Sequence, residues 1–103
     1  MRQFDIHINP SSRSRDAIPF VVVLQSHLLA ASHVTLVAPV LKEDRRSGFT
    51  RTSVYVSFQE SEFVVLVGEL APIETRQLQP ARGNLSLYED EFRRAIDRLF
   101  TGF

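Results

Sequence analysis

Residues 85–103 read LSLYEDEFRRAIDRLFTGF, and the rest of the chain is easiest to place once they are understood. Tyr88, Phe92, Ala95, Ile96 and Leu99 recur at three- and four-residue intervals, which gives a helix one apolar stripe. Ser86 followed by Glu89 predicts a capping box, with the hydroxyl accepting from a first-turn amide and the carboxylate reaching back. Glu89, Asp90 and Glu91 fall near the positive end of the helix dipole, and Arg93, Arg94 and Arg98 lie further on. The end of the stretch is unusual, because chain termini usually fray and carry polar residues. If Gly102 forms a left-handed cap, Phe103 meets Arg98 and Asp97, which offer an aromatic ring little. If the helix continues, Phe103 extends the stripe through Ile96, Leu99 and Phe100. The ring then fills the domain's own core or a dimer seam, or it anchors a partner.

Upstream the periodicity changes from helix to strand. Phe4, Ile6 and Ile8 alternate with Asp5, His7 and Asn9, the pattern of a half-buried strand, and Asn9-Pro10-Ser11-Ser12 ends it in a turn. Phe20 to Leu24 is a short β-branched run suited to burial on both faces. Leu36 to Leu41 forms another strand, which Pro39 assigns to an edge or a bulge. Residues 42–51, KEDRRSGFTR, are charged and lack apolar periodicity, so they read as a solvated loop. Ser53–Phe58 and Phe63–Val67 flank residues 59–62 and predict a hairpin with a four-residue connection. Ile73 to Leu78 adds a candidate strand, with Pro80 and Gly83 marking the turn after it. Strands first and one helix last predict an antiparallel α+β domain, and we see no internal repeat, low-complexity tract or linker.

Size and composition narrow the function classes. The chain has 103 residues, 44% of them hydrophobic and 23% charged, which is an ordinary globular mixture and predicts one domain over residues 1–103. Twelve basic and twelve acidic side chains cancel, so no overall field draws the chain to nucleic acid or anionic lipid. It contains no cysteine, which excludes disulfides and thiolate metal sites. The first residues lack the apolar stretch of a signal peptide, and apolar runs stop at about five residues, against roughly 20 for a membrane span. We therefore expect a cytoplasmic protein with no membrane partner.

A search for catalytic chemistry finds little. His7, His27 and His33 lack the spacing of metal ligands and read as surface or turn residues. The four glycines are scattered, so there is no phosphate loop, and no G-x-S-x-G elbow is present. Arg13, Arg15, Arg45, Arg46 and Arg51 are interleaved with Asp16, Glu43 and Asp44, which describes a solvated face better than a nucleic-acid groove. Glu60 and Glu62 read as a polar hairpin tip. No metal or cofactor is expected, and a binding protein is favoured over an enzyme.

The tail, written L-S-x-x-E-x-x-F-R-x-A-I-x-x-x-F-x-G-F, resembles the C-terminal helix of the CcdB toxins, whose pattern runs L-S-x-x-E-x-x-I-K-x-A-I-x-x-x-F-W-G-I. Weaker collinear matches extend over the chain: Gln3-Phe4, Ser12-Arg13-Ser14-Arg15, Phe20-Val21 leading to Gln25-Ser26, Pro39 in its apolar run, and Glu60-Ser61. The resemblance implies an SH3-like barrel of antiparallel strands with a single C-terminal helix, and a homodimer. It also implies the toxin of a toxin–antitoxin pair, one that binds the A subunit of DNA gyrase and traps the cleaved-DNA complex. DNA would then be met only indirectly, through gyrase or the antitoxin complex. A CcdA-like antitoxin would supply a disordered segment that folds as it wraps the toxin.

Carried over by position, the family's gyrase contacts fall on Ser26 and Leu28 near the second strand, on Asp97 in the helix, and on Thr101, Gly102 and Phe103. Two tails near a twofold axis would present these residues as a matched pair. Three departures bear on that expectation. Thr101 stands where the family has a Trp and offers no π face to a cation. Asp97 replaces an Asn and adds a charge, and Phe103 replaces an Ile, which would restore aromatic surface two positions on. The competing expectation is a relative that keeps fold and antitoxin binding without poisoning gyrase. The MazF-like endoribonucleases share this fold and give the rival enzyme class, but the Arg-Gly-Asp type motif of their first strand is replaced here by Phe4-Asp5-Ile6.

Overall fold

The computed structural model describes residues 1–26, 33–43 and 52–102. Among the described residues seven strands precede the helix: β1 (Asp5–Ile8), β2 (Phe20–Val23), β3 (Val34–Lys42), β4 (Ser53–Phe58), β5 (Ser61–Leu66), β6 (Ala71–Glu74) and β7 (Gly83–Asn84); α1 spans Glu89–Thr101. They form one sheet in the order β4-β5-β3-β2-β1-β7, with β6 also paired to β3, and every pairing is antiparallel. The result is a curled half-barrel with one C-terminal helix, the α+β architecture expected from the sequence.

One face of the sheet and the helix enclose the main core. Phe4, Ile6, Val22, Leu24, Ala38, Val40, Val54, Val56, Phe63, Val65 and Val67 meet Leu85, Phe92 and Ala95 there. Alternate positions on each strand supply the residues, as a period of two requires. Phe92 is the largest fully buried side chain among the described residues, and its ring stacks on Phe4 with centroids 5.1 Å apart. Phe4 has a φ of 69°, a costly conformation for an aromatic residue. Its N–H donates to Val23 O, its carbonyl accepts from Leu85 N–H, and these bonds together with the stack on Phe92 hold it there.

Several expectations need correction. β1 is not half-buried: Asp5 and His7 are buried along with Ile6, because residues 75–81 lie across the second face. That face carries a smaller cluster of Val21, Val23 and Val37, packed against Ile73 and Leu78. His7 is therefore no surface residue, being only 4% exposed. Its Nδ1 lies 2.7 Å from Gln79 O, and since a carbonyl only accepts, Nδ1 carries the proton. Nε2 is buried and has no hydrogen-bond partner among the described residues. His33 is exposed, as expected, and His27 lies outside the described residues.

Pro39 sits in the central strand and not at an edge. On one side β3 pairs with β2; on the other, β6 covers residues 34–37 and β5 covers residues 40–42. Pro39 falls in the interval where β3 changes partner, the place where a missing N–H costs least. The β4–β5 connection is two residues, not four. Gln59 and Glu60 both have positive φ, at 51° and 64°, the geometry of a type I′ hairpin turn, and Ser61 and Glu62 join β5. The segment from Ile73 divides into β6 and a 3₁₀ turn at Thr75–Gln77. Only Lys42 and Glu43 of the loop expected at residues 42–51 are described, and Lys42 closes β3.

The capping box does not form. Residues 86–88 make a 3₁₀ turn ahead of α1, and neither it nor the helix has a side-chain cap at its N-terminus. Glu89 instead pairs with Arg93 one turn on. Asn84 organises the entry: Oδ1 accepts from Ser86 N–H at 2.8 Å, and Nδ2 donates to Gln3 O and to Asp5 Oδ1.

Candidate partner-binding surface

The far end of α1 has a different character from its start. Phe92 and Ala95 are buried, Ile96 and Leu99 are partly covered, and Asp97, Phe100, Thr101 and Gly102 are exposed. The apolar stripe thus leaves the core before the helix ends, because the sheet beneath it has been used up by Phe92 and Ala95. Phe100 is 73% exposed. One exposed apolar residue is unremarkable by itself, but an aromatic at the end of an otherwise amphipathic helix is the kind of anchor that dominates interfaces.

Local bonds make this last turn well defined. Gly102 adopts the left-handed conformation at φ 79°, and its N–H donates to Arg98 O at 2.9 Å. Of the two alternatives the sequence left open, this is the αL stop, at a position where an added Cβ would meet nothing within 4 Å but would suffer the backbone strain. The Thr101 hydroxyl donates to Asp97 O one turn back, so two of the expected contact residues share a hydrogen bond. Asp97, Thr101 and Gly102 accordingly form one exposed turn. Ser26 is half-buried just beyond β2, in a different element. Leu28 and Phe103 lie outside the described residues.

Sequence reasoning missed three features around this surface. Phe100 was placed on the apolar stripe, yet it stands clear of the core. Tyr88 does more than continue the stripe, because its hydroxyl accepts the Ser57 N–H at 2.9 Å and so covers a donor on the outer strand β4, protecting a sheet edge. Leu87, 85% exposed, adds an isolated apolar side chain at the helix entry. Arg93–Glu89 and Arg94–Glu91 pair along the solvent face. Such exposed pairs contribute only about 0.3–0.5 kcal/mol each. Among the described residues no cluster of three or more His, Asp or Glu gathers to hold a metal, and no helix is long and apolar enough to cross a membrane.

A family model described as CcdB protein matches residues 3–102, which takes in every element of the sheet and the exposed turn. The chain belongs to the CcdB family. With membership comes the coarse role of a toxin from a toxin–antitoxin system. Among curated proteins, no sequence match is found. Solved structures with this architecture include the Mycobacterium tuberculosis toxin MazF-mt6, with a TM-score of 0.74 and 22% identity over 93% of this chain and 95% of that one. A second, described as an Mtb toxin, has a TM-score of 0.71 and 23% identity over 93% and 99% of the two chains. At these identities the likeness concerns the fold, and it supports the SH3-like, CcdB/MazF-like class.

Proposed function

We propose that this chain poisons DNA gyrase: as a homodimer it binds the A subunit, traps the cleaved-DNA complex, and is neutralised by a CcdA-like antitoxin. The observation that carries the reading is the family match running through residue 102 into a turn that presents Asp97, Phe100, Thr101 and Gly102 to solvent. A twofold dimer would offer two such turns to a twofold partner. Ser26, Leu28 and Phe103 complete the proposed contact set. The protein itself does no chemistry in this scheme; it stabilises a state of another enzyme, with no catalytic residue, metal or cofactor of its own, and reaches DNA only through gyrase or the antitoxin complex.

Replacement of the family's tail Trp by Thr101 makes the aromatic contribution depend on Phe100 and Phe103. The test is to mix purified protein with the gyrase of its own host and to look for stabilised double-strand cleavage. We expect cleavage complexes at micromolar protein and a strong loss with Phe103→Ala. Absence of both cleavage and supercoiling inhibition would leave a relative that keeps only the antitoxin interaction. The structural likeness to MazF proteins motivates an endoribonuclease alternative, which a single-stranded RNA substrate addresses in the same experiment. Intact RNA is the outcome expected of a gyrase binder.

A further inference from the structure

Side chains alternate along a strand, so Val34 and Leu36 of β3 face the same way as Ala38 and Val40, two members of the main core. Ala38 and Val40 are wholly buried, whereas Val34 and Leu36 are 44% and 38% exposed. Pro72 of β6 stands opposite Leu36 in the register and is exposed as well. Single exposed apolar residues mean little. These three are contiguous, as cross-strand neighbours and as i and i+2 on one strand, and contiguous apolar surface marks a contact. The main core therefore runs past its cover into an open apolar strip. We propose that this strip is the seam at which two copies of the chain meet.

Three observations favour a second copy as the occupant. The strip is continuous with the core, and permanent homodimers bury surfaces that resemble a domain core cut in half. Its rim carries both signs of charge: Glu74, the cross-strand neighbour of Val34, pairs with Arg76 at 2.7 Å, and both line a hollow that Val34 also borders. A twofold image offers each of these charges its opposite, and a chain of zero net charge sets up no overall repulsion between copies. Finally, contact is made through the face of the sheet and not along the edge of β6. The Thr75 N–H donates to His33 O at 2.8 Å, so by alternation Pro72 and Glu74 turn their backbone away from β3. Pro72 then leaves that free side without a donor where an added strand would need one.

The inference rests on the homodimer of the gyrase-poison reading and adds where its copies touch. Sedimentation velocity on the full chain over a dilution series tests it. We expect a wild-type dimer, with Leu36→Glu and Val34→Glu each raising its dissociation constant about thirtyfold or more, the effect of a central interface residue. Leu87→Glu, at an apolar residue 85% exposed on the helix entry, should leave the constant unchanged. Glu74→Arg should weaken the dimer, and adding Arg76→Glu to it should restore association by exchanging the two charges. Thermal melts identify any variant that fails to fold, and the charge exchange decides the matter if Leu36→Glu is one of them. A wild-type dimer unmoved by the folded Glu variants of the strip, or weakened equally by Leu87→Glu, overturns this seam while leaving the homodimer standing. A wild type that stays monomeric at every concentration overturns the seam and the homodimer together, and assigns the strip to a different protein.

Discussion

Phe92 and Phe100 lie about two turns apart on the same helix, one with none of its surface exposed and the other with 73% exposed. The residue type is identical; only what lies beneath the helix differs. At Phe92 the sheet supplies Phe4 as a stacking partner along with the valines of β4 and β5. At Phe100 the chain has no more sheet to offer. The first half of α1 thus closes the fold and the last turn extends beyond it, so the turn that seals the core is not the turn proposed to meet a partner.

The sharpest way to break this contrast is at its buried end. Phe92→Ala removes the largest buried side chain and the stack that holds the strained Phe4. It should cost about 3–5 kcal/mol, a large share of the 5–15 kcal/mol a domain normally has. Urea denaturation gives the value, and a loss below about 1.5 kcal/mol would mean that the helix is not what seals this core. Next in size is Gly83→Ala. A Cβ at Gly83 would lie 2.8 Å from Cε1 of Phe58, and Phe58 is itself set edge-on to Phe20. The ring has to move, at about 1–3 kcal/mol, seen as a fall in the thermal midpoint. An unchanged midpoint would show that the Phe58 ring yields freely.

Much of this fold was legible in the sequence, and the misses share physical causes. The alternation at Phe4, Ile6 and Ile8 correctly located β1, but its other face could not be judged without knowing that residues 75–81 return across it. Asp5 and His7 are buried by a contact some seventy residues distant. Pro39 was read by the rule that proline avoids central strands; β3 meets the rule by changing partners at that point, which is a tertiary fact. Ser86 and Glu89 had the spacing of a capping box, yet Asn84 already supplied the acceptor and Arg93 drew Glu89 away. In the candidate surface, the family pattern pointed to Asp97, Thr101 and Gly102, all of which are exposed. It gave Phe100 no special weight, because periodicity marks an apolar stripe and does not say where the sheet beneath it stops.

A gain of stability is expected at the hairpin, far from either end of α1. Gln59 and Glu60 both occupy left-handed conformations that Asn and Gly adopt more readily. Replacing the pair with Gln59→Asn and Glu60→Gly should stabilise the protein by about 0.5–1 kcal/mol, measured as a higher urea midpoint. Because the turn touches neither Phe92 nor Phe100, the gain should appear unchanged in the background of either helix variant. Failure to add would show that β4–β5 and the helix respond as one unit.

The smallest effect on stability, and the most informative for the contrast, is expected at Phe100. Its ring contributes little to the core, so Phe100→Ala should alter unfolding free energy by no more than about 0.5 kcal/mol. If the last turn faces a partner, the same change should weaken gyrase-dependent cleavage or antitoxin binding at least tenfold, equivalent to about 1.4 kcal/mol. Denaturation at several protein concentrations separates the remaining possibilities. A loss of 2 kcal/mol or more that grows on dilution would assign Phe100 to a seam between two copies. The same loss independent of concentration would place it in the core of its own subunit and remove the distinction between the two phenylalanines. Unchanged stability together with unchanged binding would leave the exposed ring without a role and transfer the burden of recognition to Asp97, Thr101 and the terminal residue.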